Sequence, residues 1–307
     1  MNTLFTNTNA YWARYSAYEY RQGADGNLYI LPTAKAKPSI YNPMKDPEPL
    51  VLDALNLGRL AMKGDDEKKL KPAVMDFVTK YGMLGFMTAL PTTADFLGYD
   101  AVYLPKNHFI KEETLNTLDY ISLFFPFRKP EIYVNKSETE WSVSTDADSR
   151  EVLALVMTFS NQPTAVGMSL QPIYAERYDW LVRQFRDWAF MLVSSFLFYE
   201  SKDTQDELTR NIFRQGMSAF GGKAPAYHIS LYDDKPTIVW DFHSLLLTIQ
   251  TLFGFALTDE TRPIRMCKHC GLAFISGHPN AEFCSPRCKN QYNVYKFRDK
   301  KKQGGDQ

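Results

Sequence analysis

The stretch "CKHCGLAFISGHPNAEFCSPRCKN", residues 267–290, contains all four cysteines of this 307-residue chain. They form two pairs, C-x2-C and C-x3-C, separated by 13 residues. Zinc prefers four soft ligands in a tetrahedron, and a C-x2-C turn presents two thiolates to one ion from a tight knuckle. The spacing therefore predicts one structural Zn²⁺ bound by Cys267, Cys270, Cys284 and Cys288.

The closed ligand set predicts a structural site, because four thiolates leave no coordination position for a catalytic water. Disulfides or free thiols are the alternative. They fit less well, since the pairs are regular and no cysteine is left to cross-link residues 1–261, as expected in a reducing compartment. His269 and His278 are close enough in sequence to act as spare ligands, but their positions favour a knuckle residue and a turn residue.

The residues around the cysteines indicate a local fold. The 13 intervening residues suffice for a short hairpin with its turn at 276–280. Ser285 can cap a following helix, Pro286 suits its first position, and Cys288 then lies in its first turn. A knuckle, a hairpin and a helix that carries the last ligand together predict a treble-clef finger.

The predicted C-terminal helix is strongly basic. At about 100° per residue, Cys288, Tyr292 and Tyr295 share one face, which should pack on the knuckle. Two basic stripes border that face and could bind phosphates. The predicted nucleic-acid contacts are Arg287, Lys289, Lys296, Arg298, Lys300 and Lys301. The alternative is a solvated basic helix end, favoured by the helix dipole.

The charge is divided unevenly along the chain. Residues 262–307 carry 10 Lys and Arg against three acids, which leaves 25 against 32 for residues 1–261. The two parts therefore carry formal charges of +7 and −7, although the whole chain is neutral. We predict a body over 1–261 and a zinc finger over 262–303, and exclude a uniformly nucleic-acid-binding or membrane-surface chain.

Hydrophobic periodicity in the body predicts an α+β fold that is mainly α, with short β-hairpins. Residues 130–173 show strand-like pieces, "EIYV", "WSVST" and "VLALVMTF", whose order is not predicted. The other predicted elements are a hairpin around residues 23–26, helices ending at Gly64 and Gly82, helices over 111–124 and 174–201, a helix from Thr204 to Gly221, a hairpin around "DDKP", and a helix capped by Asp241 or Ser244.

No membrane or export signal is recognised. The N-terminus lacks a basic start followed by an apolar run, and the longest apolar stretch, residues 188–199, is too short to span a bilayer. We expect a cytoplasmic protein without a membrane partner.

The finger resembles a known family. The matching residues are Cys267, Cys270, Gly271, Phe274, Phe283, Cys284, Ser285 and Cys288, followed by basic residues. Over about the last 60 residues the chain resembles the CGNR-type zinc fingers of bacterial proteins regarded as stress-related transcription regulators. It is also similar to other bacterial families that end on such a finger. This resemblance implies a bacterial protein, zinc at the four cysteines, contact with DNA or RNA and a role in transcription regulation.

Enzyme motifs are weak. His278 and Asn290 suggest an HNH-nuclease arrangement, but the helix after Cys288 contains no histidine. The segment "GMSAFGGK" departs from a phosphate-binding loop, since Met217 stands where a glycine is required and Ala224 replaces Ser or Thr.

Three functions remain as hypotheses. The leading one is a zinc-binding bacterial regulator that contacts nucleic acid through its basic finger. In this hypothesis the acidic, helical body senses a signal, dimerises with a second copy of the chain or binds a protein partner. The alternative is a protein-interaction module whose finger is purely structural and packs on the body. The third is an enzyme with a site in the body, for which no motif is recognised.

Overall fold

The computed structural model describes residues 7–64, 67–135, 140–144, 163–201, 206–219, 221–278 and 280–303. Within these residues the α-helices are α1 (Pro47–Met62), α2 (Glu67–Tyr81), α3 (Phe86–Ala89), α4 (Thr117–Ser122), α5 (Thr164–Ser169), α6 (Tyr178–Ser201), α7 (Glu207–Ala219), α8 (Leu245–Thr258) and α9 (Pro286–Gln303). A 3-10 turn spans Phe96–Gly98.

The strands of the described residues are short and form small sheets. They are β1 (Thr8–Asn9), β2 (Trp12–Tyr15), β3 (Tyr18–Gln22), β4 (Leu28–Pro32), β5 (Pro38–Tyr41), β6 (Ala101–Tyr103), β7 (Thr114–Asn116), β8 (Glu131–Asn135), β9 (Glu140–Ser144), β10 (Glu176–Arg177), β11 (Ala226–Tyr232), β12 (Lys235–Asp241), β13 (Ile264–Met266) and β14 (Ala273–Ile275). Two sheets have three strands, in the orders β1-β12-β11 and β10-β4-β3, and four are two-stranded. The predicted mixed α+β fold with short hairpins is confirmed.

The centre of the body is the packing of α1 on α6. Leu50, Ala54 and Leu55 of α1 and Phe185 of α6 are fully buried in the main core. Gly58 allows the two backbones to approach closely, because a Cβ atom there would lie 1.9 Å from the carbonyl oxygen of Phe185. Any larger residue at position 58 would force α1 and α6 apart.

A buried carboxylate joins distant segments of the body. Glu176 of β10 is completely buried and accepts hydrogen bonds from the backbone N–H groups of Leu84 (2.9 Å), Gly85 (2.6 Å) and Phe86 (2.9 Å). The Tyr174 hydroxyl donates a fourth, at 2.7 Å. These contacts satisfy the N–H groups at the start of α3, which have no partner within the helix. We call this arrangement the Glu176 junction.

Most of the predicted elements are confirmed. The hairpin around residues 23–26 is formed by β3 and β4, with Tyr20 opposite Ile30, and the helices before Gly64 and Gly82 are α1 and α2. The "DDKP" hairpin is β11–β12, and Ser244 caps α8 by accepting from the N–H of Leu247. The long helix begins four residues later than predicted, at Tyr178, because the two residues before it pair with β4 as strand β10.

One predicted helix is partly wrong, and two other predictions concern residues outside the described part of the chain. The helix predicted over 111–124 is wrong for its first part, since β7 pairs with β6 and only Thr117–Ser122 is helical, capped by Asn116. Helix α7 begins at Glu207, where Asp206 accepts from the N–H of Thr209. The predicted cap Thr204 and the stretch "VLALVMTF" lie outside the described residues, whereas "EIYV" and most of "WSVST" form β8 and β9.

The helices that the structure describes are too short or too polar to cross a membrane.

Candidate metal centre and basic helix

The first cysteine pair lies in a turn between two strands. Strands β13 and β14 pair antiparallel, with Ile264 opposite Ile275. The turn between them is closed by hydrogen bonds from the N–H of Gly271 to the Cys267 carbonyl (2.8 Å) and from the N–H of Cys267 to the Leu272 carbonyl (2.9 Å). Gly271 has φ of +71°, a conformation that side chains disfavour. We call residues 267–272 the knuckle.

The second cysteine pair lies at the start of α9. The Ser285 hydroxyl accepts from the N–H of Cys288 at 3.2 Å, and Pro286 is the first residue of the helix, as predicted. Lys268 of the knuckle connects to this segment through its N–H, which donates to the Glu282 carbonyl at 3.0 Å, and through its ammonium, 2.6 Å from the Glu282 carboxylate. These contacts bring the helix start next to the knuckle.

The structure brings the four predicted ligands together. All four Sγ atoms lie within 4.8 Å of one another, with Cys270 and Cys284 3.7 Å apart and Cys284 and Cys288 3.5 Å apart. A tetrahedral zinc site with Zn–S bonds of about 2.3 Å requires sulfur atoms about 3.8 Å apart. The cluster is therefore positioned to bind one metal ion, and its four thiol donors suit a soft or borderline cation.

The electrostatics of the cysteines also suit a cation. Burial opposes ionisation of Cys267, but N–H groups of Cys270, Cys284 and His269 outweigh it and lower its pKa to about 6. Burial and hydrogen bonds to neighbouring thiols raise the pKa of Cys284 to about 12. A second thiolate in this cluster thus needs positive charge beside it, which a divalent ion supplies.

The histidines near the cysteines lie outside the cluster. The metal-ligand group found in the described residues contains the four cysteines and neither His269 nor His278. The ring of His269 instead stacks on Tyr295 of α9, with centroids 5.7 Å apart and an interplanar angle of 17°. This contact, with that of Tyr292 on Phe283 at 5.2 Å, confirms the predicted finger-facing side of α9.

The hairpin predicted between the two cysteine pairs is not where the sequence suggested. The paired strands β13 and β14 lie on either side of the knuckle, and in the described part of 276–285 no further strand follows. The turn predicted at 276–280 therefore leads from β14 to α9 without a second strand. The treble-clef interpretation stays a prediction.

The strand pair of the finger is attached to the body. The side chain of Asn56 on α1 accepts from the N–H of Ala273 at 2.7 Å and donates to its carbonyl at 3.4 Å. Ile264 and Ala273 are buried in the main core, and a Cβ atom at Gly271 would lie 2.7 Å from the guanidinium of Arg59. The knuckle is thus held on α1, while the proposed division of the chain at residue 262 stays a prediction.

Helix α9, by contrast, is open to solvent. The predicted nucleic-acid contacts whose side chains are described, Arg287, Lys289, Lys296 and Arg298, are all exposed. The side chains of Lys300 and Lys301 lie outside the described set, although both residues belong to the helix. Two exposed apolar residues, Val294 and Phe297, were missed by the sequence analysis. Their separation of three residues, on the side opposite Cys288, was the available signal.

The body contains a cavity of about 830 Å³ beside α6 and α8. His108 and Asp187 line it, with the His108 Nε2 atom 3.0 Å from the Asp187 carboxylate. Burial lowers the pKa of the neighbouring His243. The ammonium of Lys223 donates to the carbonyls of Ala89, Leu90 and Pro91 at its wall. The last residue of the segment "GMSAFGGK" is therefore a lysine that binds the carbonyl groups at the end of α3. This contact agrees with the conclusion that the segment is not a phosphate-binding loop.

Comparison of the chain with protein-family models, curated proteins and solved structures gives no match.

Proposed function

We propose that this protein binds zinc through its four cysteines and contacts nucleic acid with the basic helix that this site anchors, in a regulatory role. The observation that carries the proposal is the exposure of α9. Its 18 residues include seven Lys or Arg and one acid, and the described basic side chains up to Arg298 are exposed. Lys and Arg that neutralise phosphates release counterions, which provides most of the affinity for a polyanion.

The acidic body offers an alternative partner for α9, and the ion pairs of the described residues favour an external partner instead. Several acids of the body pair with other cations, for example Glu48 with Arg262 at 2.8 Å and Asp53 with Lys80 at 2.7 Å. Among the described residues no ion pair includes Arg287, Lys289, Lys296 or Arg298. These four charges lie outside the ion pairs of the described residues, which supports their contact with an external polyanion.

Zinc has a supporting role in this proposal. Both cysteines of the second pair hold the start of α9, while the knuckle is held on α1 through Asn56. A closed four-thiolate site performs no chemistry of its own but fixes the direction of the helix. The ion would thus determine how the basic side chains are presented.

The proposal is tested by binding to duplex DNA and duplex RNA of random sequence over a range of salt concentrations. We expect affinity to fall steeply with salt, with a slope of about −0.9 per neutralised phosphate. The variant Lys289→Ala/Lys296→Ala/Arg298→Ala/Lys300→Ala should reduce that slope by up to about four and weaken binding on every sequence.

A charge-matched control separates local from global effects. Lys35, Lys37, Lys45 and Lys63 are exposed on the body, so replacing all four by alanine makes the same change in net charge. This control should leave the salt slope unchanged. Absence of binding at low salt in the zinc-loaded wild-type protein would exclude the proposal.

A second candidate function, protein interaction, is favoured by the β11–β12 hairpin. Tyr227, Ile229, Leu231 and Ile238 are all exposed large apolar side chains, and Ile229 pairs with Ile238 across the strands. Strand β11 is also the edge of its sheet and carries no acid, lysine or arginine. Uncharged apolar edges are ready sites for pairing with another chain. This surface lies on the hairpin, whereas the sequence placed the partner contact on the helical body.

If the partner of the β11–β12 hairpin is a second copy of the chain, the interaction can be measured directly as self-association. We expect light scattering during size-exclusion chromatography to give twice the chain mass, and Ile229→Lys to return the mass of one chain. Leu118→Lys, the same change at an exposed leucine of α4, is the control and should leave the mass unchanged. A wild-type monomer at all concentrations would exclude the self-association.

A further inference from the structure

Helix α9 has two apolar sides with different roles. One side, with Cys288, Tyr292 and Tyr295, faces the finger through the contacts to Phe283 and His269. Nine residues at about 100° each place Phe297 on the opposite side from Cys288. Val294, one turn before Phe297, lies close to it on the same side. We call Val294 and Phe297 the outer ridge.

The outer ridge is exposed although it is apolar. Phe297 is 69% exposed and Val294 48% exposed. Basic residues run along both sides of this ridge, Lys289 and Lys296 on one and Arg287 and Arg298 on the other, and all four are exposed. An exposed aromatic ring between two rows of cations provides both a stacking surface and phosphate contacts.

We propose that the outer ridge binds unpaired bases, so that the preferred ligand of α9 is single-stranded nucleic acid. This inference rests on the proposed function and specifies its substrate class. In a duplex the bases are already stacked on one another, so the ring of Phe297 would find only groove edges. In a single strand each base has a free face for Phe297, and the flanking phosphates lie within reach of the two basic rows.

The experiment compares ligands on the full, zinc-loaded chain. Fluorescence anisotropy is measured with labelled oligo-uridine, oligo-deoxythymidine and a blunt DNA duplex, each of about 20 nucleotides per strand, because single-strand sites cover roughly 4–16 nucleotides. We expect both single strands to bind at least about tenfold more tightly than the duplex. The uridine and thymidine ligands show whether the ribose hydroxyl contributes.

Three variants test the role of the ring. Phe297→Ala should weaken single-strand binding roughly tenfold, the effect of losing one stacked base, and leave duplex binding unchanged. Phe297→Trp should retain the single-strand affinity. Phe190→Ala, a matched change at a phenylalanine of α6 that is 59% exposed, should alter neither. Zinc content and helix content are measured for each variant.

The outcomes distinguish this inference from the proposed function. Salt-dependent binding of duplex and single strands with equal affinity, or equal loss on both with Phe297→Ala, overturns the single-strand inference and leaves the proposed function standing. No binding of any nucleic acid overturns both. Binding to vesicles of phosphatidylcholine and phosphatidylserine that Phe297→Ala abolishes, without single-strand binding, shows that the ridge is a membrane contact and also overturns the inference.

Discussion

The Glu176 junction joins segments about 90 residues apart and the cysteine cluster joins two pairs separated by 13 residues, and the two are completed differently. At the Glu176 junction one carboxylate meets three N–H groups and one hydroxyl, all supplied by the chain. At the cysteine cluster four sulfur atoms lie within 4.8 Å of one another. Sulfur has lone pairs but a thiol is only a weak hydrogen-bond donor, so the four groups do not satisfy one another. The Glu176 junction is complete without a ligand, whereas the cysteine cluster is positioned to bind a cation.

This difference explains why the two parts of the protein should respond to different perturbations. The body is held by buried apolar side chains and by polar groups that satisfy one another. Among the described residues, the finger contributes to that core through its strand pair. Helix α9 is connected by the cysteines, by the contact of Tyr292 with Phe283 and by the stacking of Tyr295 on His269. Removing the ion should therefore release α9 and leave the body folded.

The largest expected effect is that of metal removal. Metal analysis should give one zinc per chain, and chelation should cost the finger on the order of 10–16 kcal/mol, the apparent binding free energy of structural zinc in isolated fingers. By hydrogen exchange, the amides of α9 should lose protection while those of α1 and α6 retain it.

Two substitutions check the ligand set. Cys288→Ser should reduce zinc content strongly, because serine is a poor zinc ligand. His278→Ala, which alters a nearby histidine outside the cluster, should retain one zinc per chain. A metal-free chain with full protection of α9 would show that the helix is held without an ion.

The next effect is expected at the Glu176 junction. Glu176→Ala leaves three buried N–H groups without a partner, and we expect a loss of about 3–5 kcal/mol in the free energy of unfolding, measured in urea. Glu112→Ala, at an exposed position, should change it by less than about 0.5 kcal/mol. Zinc content should remain at one per chain in both variants, since the two junctions are separate.

The pH dependence of stability tests the same junction. Burial raises the pKa of Glu176 above its ordinary value of 4.5, although four hydrogen bonds oppose the shift. A raised pKa in the folded state means that this group contributes most stability below pH 4.5, and that the contribution is lost as pH rises through the folded pKa. The difference in unfolding free energy between wild type and Glu176→Gln should therefore shrink as pH rises over that range. A constant difference would contradict the shift.

A smaller effect is expected where the finger meets the body. Asn56→Ala removes both hydrogen bonds to the backbone of Ala273, and we expect a cost of about 1–2 kcal/mol together with faster exchange in β14. Asn293→Ala makes the same chemical change on exposed α9 and should be neutral. An unchanged exchange rate in β14 for Asn56→Ala would show that other contacts hold the knuckle.

The comparison also shows what the sequence could predict. The four cysteines were assigned as ligands from spacing alone, because paired thiolates at short separations constrain their own geometry. The periodicity of α6 was likewise readable, since one side of that helix faces the core. Both signals are local, and both correspond to the structure.

The elements that escaped prediction depend on distant residues. Glu176 lies in "YAERYDW", where a glutamate is expected at an exposed helix start, and its burial depends on N–H groups about 90 residues earlier. The spacing of Leu115, Leu118 and Ile121 suits a helix, but pairing with β6 converts residues 114–116 into a strand. The attachment of the finger to Asn56 could not be predicted either. Asn56 lies in the helical pattern of α1 and Ala273 lies in the finger, and neither pattern indicates that the two residues are in contact.

The smallest expected effect belongs to the ion pair beside the cysteine cluster. Lys268 and Glu282 lie 2.6 Å apart, and the hydrogen bond from Lys268 lowers the pKa of Glu282. A lowered folded pKa gives stability that is present above the ordinary value of 4.5 and is lost as pH falls through the folded pKa. Because both side chains are partly exposed, a double-mutant cycle with Lys268→Ala and Glu282→Ala should give a coupling of only about 0.2–1 kcal/mol. A coupling above about 2 kcal/mol would show that this pair, rather than the ion, holds the start of α9 against the knuckle, and the contrast between the two junctions would then be lost.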